Sequence, residues 1–420
     1  MTAHQLRKIA LDQLRPGMYV GNVFNDRGIL LYSANTLIVD YAQVEALRRQ
    51  GVTTVGINLR KGSDRDDGSD IVEESVSETG PEDFAEAAAE HPVFSSDGQS
   101  TLVFDELKLH EAVTVRERTL GTVQEIMAAA ASGRMFTLNT ISQNVNSIID
   151  LMLAEPDLLL NLNRMKSRIP PTYTHSVNVA VLMVGFASAL GYPRSTVLDA
   201  GVGGMLHDIG KIRLPEILLA KHGSCTRQEY ELFKRHPELG LEIIGRNRAP
   251  VSPVVRNIIY QHHERVSGSG YPLQLRGAHI EELALVCAIA DMYDTLTTEG
   301  MYHRIYMPQE ALALIFQGAD EEYPRRLVEH FTKLLGIYPV GSFVKLDSGE
   351  MGVVVRNNRH RLLKPVVKVL FDENGKQLAT PYLRDLSSDG GEMENRAERV
   401  TGSIDPRSFN VPEDHYYFQL

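Results

Sequence analysis

Two stretches decide the fold, LHDIGK at Leu206–Lys211 and HHERVSGSGYP at His262–Pro272, with a helical segment carrying His236 between them. Both are dense in metal-ligand side chains, and the second runs into a Gly-rich loop. Moving outward, further ligand-type residues stand at His175 and at Asp291 in AIADMYD, so five histidines and two aspartates fall on successive helical segments. Imidazole and carboxylate suit a borderline or hard divalent ion such as Fe, Mn or Zn, and the lack of cysteine in the set argues against a structural zinc site. The set exceeds what one ion with open positions needs, and it matches two ions sharing a bridging carboxylate. Such a centre suits phosphodiester hydrolysis, because it makes a strong nucleophile from water at neutral pH and neutralises charge growing on phosphorus. Lys211 adds a cation for a phosphate oxygen. Neighbouring helical residues point ~100° apart, so each doublet best serves a broad bimetallic site or a helix end.

The surrounding pattern is helical over residues 106–335, from AVTVRERTLGTVQEIMAAAASG onward, and this stretch is expected to be an all-helical domain. TRQE at Thr226–Glu229 is a capping box expected to open the helix that carries His236. Upstream, residues 1–60 alternate short strands with the helical run YAQVEALRRQG and read as a small α+β domain without chemistry of its own. Residues 61–105 are acidic and Ser-rich and read as a flexible linker. Downstream, residues 336–388 return to strand patterns (SFVKL, MGVVVR, PVVKVLF) and read as a small β-rich appendage of about four strands. Residues 389–420 form a polar tail. The expected fold class is therefore multidomain and mainly α.

Charge narrows the partners. The formal charge of −11 is almost entirely local, since twelve acids between Asp64 and Asp97 face only Arg65. The balanced remainder has no basic field for polymeric nucleic acid, so an anionic small molecule must be met by metal or by local cations. The longest apolar run, Val179–Phe186, is far short of the ~18–20 residues of a membrane span, and MTAHQLRKIALDQ lacks a signal-peptide core. A cytoplasmic chain is expected. Cys225 and Cys287 are neither clustered nor spaced as a redox or metal pair and read as a loop thiol and a buried thiol. Any one histidine alone would read as a packed or surface residue, as His4, His91, His110, His222, His279, His330, His360 and His415 do; the combination is what signals a site. Gly268–Pro272, likewise, would alone be an ordinary turn, but beside the histidines it reads as a close backbone approach to a ligand.

Five motifs in order then carry a resemblance: THSVNVA from Thr174, GGMLHDIGKIRLP from Gly203, FKRHPELG from Phe233, HHERVSGSGYP from His262 and LVCAIADMYDTLT from Leu285. This middle part of the chain resembles the HD-GYP family, HD-superfamily hydrolases that cleave the bacterial second messenger cyclic di-GMP. The resemblance implies metal ligands at His175, His207, Asp208, His236, His262, His263 and Asp291. Asp208 would bridge two divalent ions, Fe or Mn first and Zn, Ni, Co or Mg also accepted by such donors. One ion would be completed by His175, His207 and Asp291, the other by His236, His262 and His263. Lys211 would contact the scissile phosphate or protonate the leaving oxygen, and Asp294 would order the site. Gly270, Tyr271 and Arg304 would join Lys211 and Asp294 in holding the substrate. The implied activity is hydrolysis of cyclic di-GMP to pGpG or GMP, with residues 1–60 as a regulatory module. A diguanylate cyclase or another signalling protein is a candidate protein partner, as is a second copy of the chain through antiparallel pairing of the helices at about Glu106–Asn161, although core packing accounts better for their apolar face.

Three positions depart from the family pattern. Pro171 stands where some members place a Glu that holds a third ion, which favours a dinuclear centre. Ser267 replaces an Asp that normally braces the Gly-rich loop. GMYH at Gly300–His303 replaces an Arg-Pro-Tyr-Arg stretch, leaving Arg304 as the nearest substitute for two arginines. A charge-assisted contact is worth roughly 1.5–3 kcal/mol, so these losses raise two alternatives. One is a weakly active or inactive module that binds a nucleotide or partner, and the other is a phosphodiesterase for a different cyclic dinucleotide.

Overall fold

The computed structural model describes residues 6–15, 18–24, 30–37, 44, 47–48, 52–58, 106–163, 170–219, 226–247, 251–298, 305–358, 360–387, 399–405 and 409. It divides into two compact units, one within residues 1–80 together with residues 225–229, the other comprising residues 81–224 and 230–420.

The first unit holds β1 (Leu6–Ala10), β2 (Tyr19–Phe24), β3 (Leu30–Leu37) and β4 (Thr54–Asn58). They form one antiparallel sheet in the order β1-β4-β2-β3. Val55 and Ile57, two apart on β4, are both buried, as the period of a strand requires. They join Ile9, Leu11, Leu14, Val20 and Val52 in a small core, into which the helical Val44 and Leu47 also pack. The expected linker at 61–105 lies outside the described residues.

The second unit is helical and then β. Its helices are α1 (Glu106–Ala131), α2 (Asn139–Ala154), α3 (Pro156–Leu162), α4 (Pro171–Ala189), α5 (Arg194–Leu206), α6 (Glu216–Leu219), α7 (Arg227–Phe233, of which residues 230–233 belong to this unit), α8 (His236–Arg246), α9 (Pro253–Gln261), α10 (Glu282–Thr297), α11 (Pro308–Gln317) and α12 (Arg325–Leu335). VNVAVLMVGFASA is apolar on every side, and α4 accordingly runs through the centre, with α1, α2, α5, α10 and α12 packed around it. The helix α12 is its amphipathic counterpart: Leu327, Val328, Phe331, Leu334 and Leu335 form the buried stripe, and Gly336, at φ 79°, ends it. The apolar faces of α1 and α2 belong to this same core. No helix among the described residues is long and apolar enough to cross a membrane.

Two expectations are amended. The capping box is present, with Thr226 N donating to Glu229 Oε2 at 2.6 Å and Glu229 N donating to Thr226 Oγ1 at 3.2 Å. It opens α7, however, and the chain breaks at Lys234–Arg235 before His236 begins α8, because Pro237 is tolerated only in a first helical turn. The polar tail also contributes structure. After β5 (Phe343–Leu346), β6 (Met351–Arg356), β7 (Val366–Phe371) and β8 (Gln377–Asp385), a fifth strand β9 (Val400–Ser403) pairs with β5, giving the order β8-β7-β6-β5-β9. A four-residue strand with one apolar side chain leaves almost no period to read, and its pairing covers an edge of β5 that would otherwise be open.

Candidate metal centre

Both ligand doublets sit where a helix stops. His207 caps the C-terminus of α5, and Asp208 begins the short 3-10 turn Ile209–Arg213; His262 caps the C-terminus of α9, and His263 follows it. There the backbone changes direction, so adjacent side chains can converge as they could not in mid-helix. His236 opens α8, His175 lies in the second turn of α4, and Asp291 and Asp294 share α10. Gly210 brings these parts together: a Cβ there would lie 1.9 Å from the His236 carbonyl oxygen and 2.6 Å from Gly240 N. Only glycine lets the 3-10 turn rest on α8 and carry Asp208 to His236.

The seven side chains gather around Asp208 in two groups, whose donor atoms in each case lie within 4.8 Å of one another: Asp208 with His236, His262 and His263, and His175 with His207 and Asp291. The two carboxylate oxygens face opposite ways. Oδ2 lies 3.4 Å from His207 Nε2 and 3.6 Å from His175 Nε2, while Oδ1 lies 3.3 Å from His236 Nε2 and 3.8 Å from His262 Nε2. Asp291 Oδ1 is 3.1 Å from His175 Nε2.

The hydrogen bonds outside the cluster fix the ring protons. The Nδ1 atoms of His207, His236 and His262 meet only backbone carbonyls, those of Gly204 at 2.7 Å, Phe233 at 2.9 Å and Ile259 at 3.0 Å, so each carries the proton it donates. Their Nε2 lone pairs therefore face inward. His207 Nε2, His263 Nε2 and Asp208 Oδ1 are buried without a hydrogen-bond partner. Buried acceptors aimed at one another without donors are costly unless cations lie among them, so the donor set fits divalent metal.

Charge agrees with this geometry. Burial pushes the Asp208 carboxyl up, but Lys211 and His207 outweigh it and hold the group well below the usual carboxylate range. Burial acts on Asp291 in the same direction and is overcome by its hydrogen bond to His175. Burial lowers His236 to about 4 and holds His262 and His263 well below the ordinary imidazole range, so all three rings are neutral at pH 7. Lys211 Nζ pairs with Asp208 Oδ2 and lies 5.3 Å from the Phe233 ring centre.

Around this cluster, Asp294 accepts from His175 Nδ1 at 2.7 Å and from Asn178 Nδ2 at 2.9 Å. Tyr271 stacks on His263 with ring centres 4.6 Å apart. Gly270 packs against the backbone of the doublet, where a Cβ would lie 2.4 Å from the His263 carbonyl oxygen. Ser267 bonds Ser269, Oγ to Oγ, at 2.9 Å. The loop is braced by a residue the motif reading passed over: Glu264, fully buried, accepts from Leu273 N at 2.6 Å and Leu275 N at 2.9 Å. Its signal was a carboxylate following the two histidines in HHER. Gly300, His303 and Arg304 lie outside the described residues.

An adjacent His–Asp pair at the end of a buried helix, completed by histidines from three neighbouring segments and by Asp291 from a fourth, defines an HD-type metal centre. Comparison with known proteins agrees with this. The HD domain model matches residues 148–327, a domain of unknown function (DUF3391) matches residues 6–141, and a KOW domain associated with HD domain matches residues 343–390. Cyclic di-GMP phosphodiesterase PA4108 of Pseudomonas aeruginosa is 32% identical over 96% of this chain and 94% of its own length. A cyclic di-GMP phosphodiesterase of Thermotoga maritima is 28% identical over 54% of this chain and 62% of its own, and 3'3'-cGAMP-specific phosphodiesterase 2 of Vibrio cholerae is 29% identical over 46% and 38%. The chain belongs to the HD-GYP family of HD-domain phosphohydrolases.

Proposed function

We propose that this protein is a metal-dependent phosphodiesterase that hydrolyses cyclic di-GMP to pGpG, GMP or both in bacterial second-messenger signalling. The observation that carries the reading is Asp208, whose two oxygens face two separate histidine groups 3.3–3.8 Å away. The near full-length relationship to PA4108 supports the choice of substrate. In this reading His175, His207 and Asp291 would hold one divalent ion and His236, His262 and His263 the other, with the Asp208 carboxylate available to both. Iron or manganese is the proposed metal. When bound, the ions make water nucleophilic at neutral pH and neutralise charge on the phosphate.

The chain's own residues orient the rest. Asp294 keeps the His175 proton at Nδ1, which leaves Nε2 for metal. The Lys211 ammonium turns from Asp208 to a phosphate oxygen, or gives its proton to the leaving oxygen. Tyr271, already stacked on His263, and the Gly270 backbone hold the nucleotide, with Arg304 completing the proposed contacts. Residues 106–335 carry the catalysis, and residues 1–60 are a regulatory module.

The test is incubation of protein loaded with Fe or Mn under reducing conditions with cyclic di-GMP, and with 3'3'-cGAMP in parallel, the products being resolved by chromatography. Conversion of cyclic di-GMP to linear product by the wild type, lost in the His207→Ala, Asp208→Ala double variant, is expected. Binding without turnover would contradict the enzyme reading, and faster turnover of 3'3'-cGAMP would move the substrate to the hybrid dinucleotide.

A further inference from the structure

Arg116 lies on the inward face of α1, among Ala112, Val115, Thr119 and Leu120, all of them buried. A charged side chain in this stripe breaks the amphipathic pattern of the helix. Its Nε and Nη2 are shielded from solvent, and neither has a hydrogen-bond partner. Other arginines of this unit are satisfied: Arg118 donates to Asn144 at 2.8 Å and Ser147 at 2.9 Å, and Arg265 donates to the Glu264 carbonyl at 2.9 Å. A guanidinium with two shielded, unmet donors destabilises the free protein, and an oxyanion is the acceptor its planar fork matches.

The position of Arg116 says where that oxyanion would lie. The helix α1 packs against α4, which carries His175, and against the 3-10 turn that carries Lys211. Burial lowers the Arg116 guanidinium from its ordinary value, and the nearby charges of Glu117 and Asp294 act against this. Neither carboxylate accepts from Arg116 Nε or Nη2, and the Asp294 oxygens accept instead from Asn178 and His175. A cyclic dinucleotide has two phosphodiester groups, and the metal centre can neutralise only the one it holds.

We infer that Arg116 is a substrate-binding residue whose guanidinium receives the second phosphate of a dinucleotide seated at the metal centre. The inference rests on the phosphodiesterase reading above. In the free protein the unmet donors are kept at a cost to stability, and substrate supplies their acceptor.

The full-length, Mn-loaded protein tests this with Arg116→Met, which keeps the apolar stem and removes the charge, and with Arg116→Ala and Arg116→Lys. Arg116→Met is expected to raise KM for cyclic di-GMP by about tenfold or more, the value of one charge-assisted contact, with kcat changed less than KM. Its Tm should equal or exceed that of the wild type, because an unsatisfied buried charge has gone. Added guanidinium ion should lower the KM of Arg116→Ala, and Arg116→Lys should fall between the wild type and Arg116→Met. A wild-type KM in Arg116→Met overturns the inference while leaving the phosphodiesterase reading intact. A fall in Tm with KM unchanged assigns Arg116 a packing role and also overturns it. Failure of the wild type to bind or cleave cyclic di-GMP removes the functional reading, and the inference with it.

Discussion

His236 Nε2 and His262 Nε2 stand 3.2 Å apart, and neither ring can donate to the other, because each spends its Nδ1 proton on a backbone carbonyl. Two lone pairs held this close repel unless a cation lies against both. Chelation should therefore destabilise the protein rather than merely inactivate it. A ligand present at 1,000 times its Kd stabilises by about 4 kcal/mol, so removing metal should lower Tm by several degrees, and Mn or Fe should restore it. An unchanged melting curve after chelation, with metal loss verified by mass spectrometry, would contradict this.

Glu264 is expected to govern the Gly-rich loop. Its buried carboxylate satisfies the N–H groups of Leu273 and Leu275, and a buried donor left unpaired costs about 1–3 kcal/mol. Glu264→Ala should lower stability by a few kcal/mol and raise KM, with the metal content nearly unchanged. Urea unfolding and metal analysis of one preparation read both, and loss of metal with an ordered loop would reverse the assignment.

Gly210→Ala probes how Asp208 reaches His236. The added methyl meets the His236 carbonyl at 1.9 Å, against backbone that cannot yield cheaply. Overpacking costs typically 1–3 kcal/mol, and here it should also separate the two donor groups, lowering metal content and activity together. A variant with full metal content would show that the close approach is not what positions Asp208.

The metal-free protein should lose stability in acid. Burial holds His236 at about 4 in the fold, and holds His262 and His263 well below the ordinary range. The unfolded chain takes up protons near pH 6.5 that these rings refuse. Their stabilisation is thus complete above about pH 6.5 and is lost as pH falls toward 4, at up to about 1.4 kcal/mol per pH unit for each ring. Burial also lowers His175, but its hydrogen bonds to Asp291 and Asp294 outweigh this and raise it to about 10, so its contribution is present below pH 6.5 and is lost as pH rises toward 10. The urea midpoint of chelated protein should peak near neutrality, and a flat profile from pH 7 to 5 would contradict the neutral assignment.

The helical core and the candidate ligands were legible because their signals are chemical. The apolar stretch VNVAVLMVGFASALG is longer than a usual buried strand and apolar on every side, which favours a central helix, and histidines recurring at the ends of apolar segments have few other uses. What escaped reading depended on contacts distant in sequence or on backbone geometry. Glu264 is one charged residue in a polar loop, and its carboxylate meets N–H groups nine and eleven positions away. Arg116 is one of three successive charged residues in VRER, and only the packing of α1 turns it inward. The break before His236 was written in Pro237, but the capping box at Thr226 is equally compatible with one long helix. The strand β9 has only Val400 to announce it, and its register is set by β5.

The central claim is that Asp208 joins two metal sites, and the metal content of purified protein tests it most directly. Mass spectrometry under native conditions of Mn-loaded full-length protein should give two ions per chain, falling to one or fewer in Asp208→Ala. A single ion in the wild type, or two ions retained in Asp208→Ala, would contradict the account.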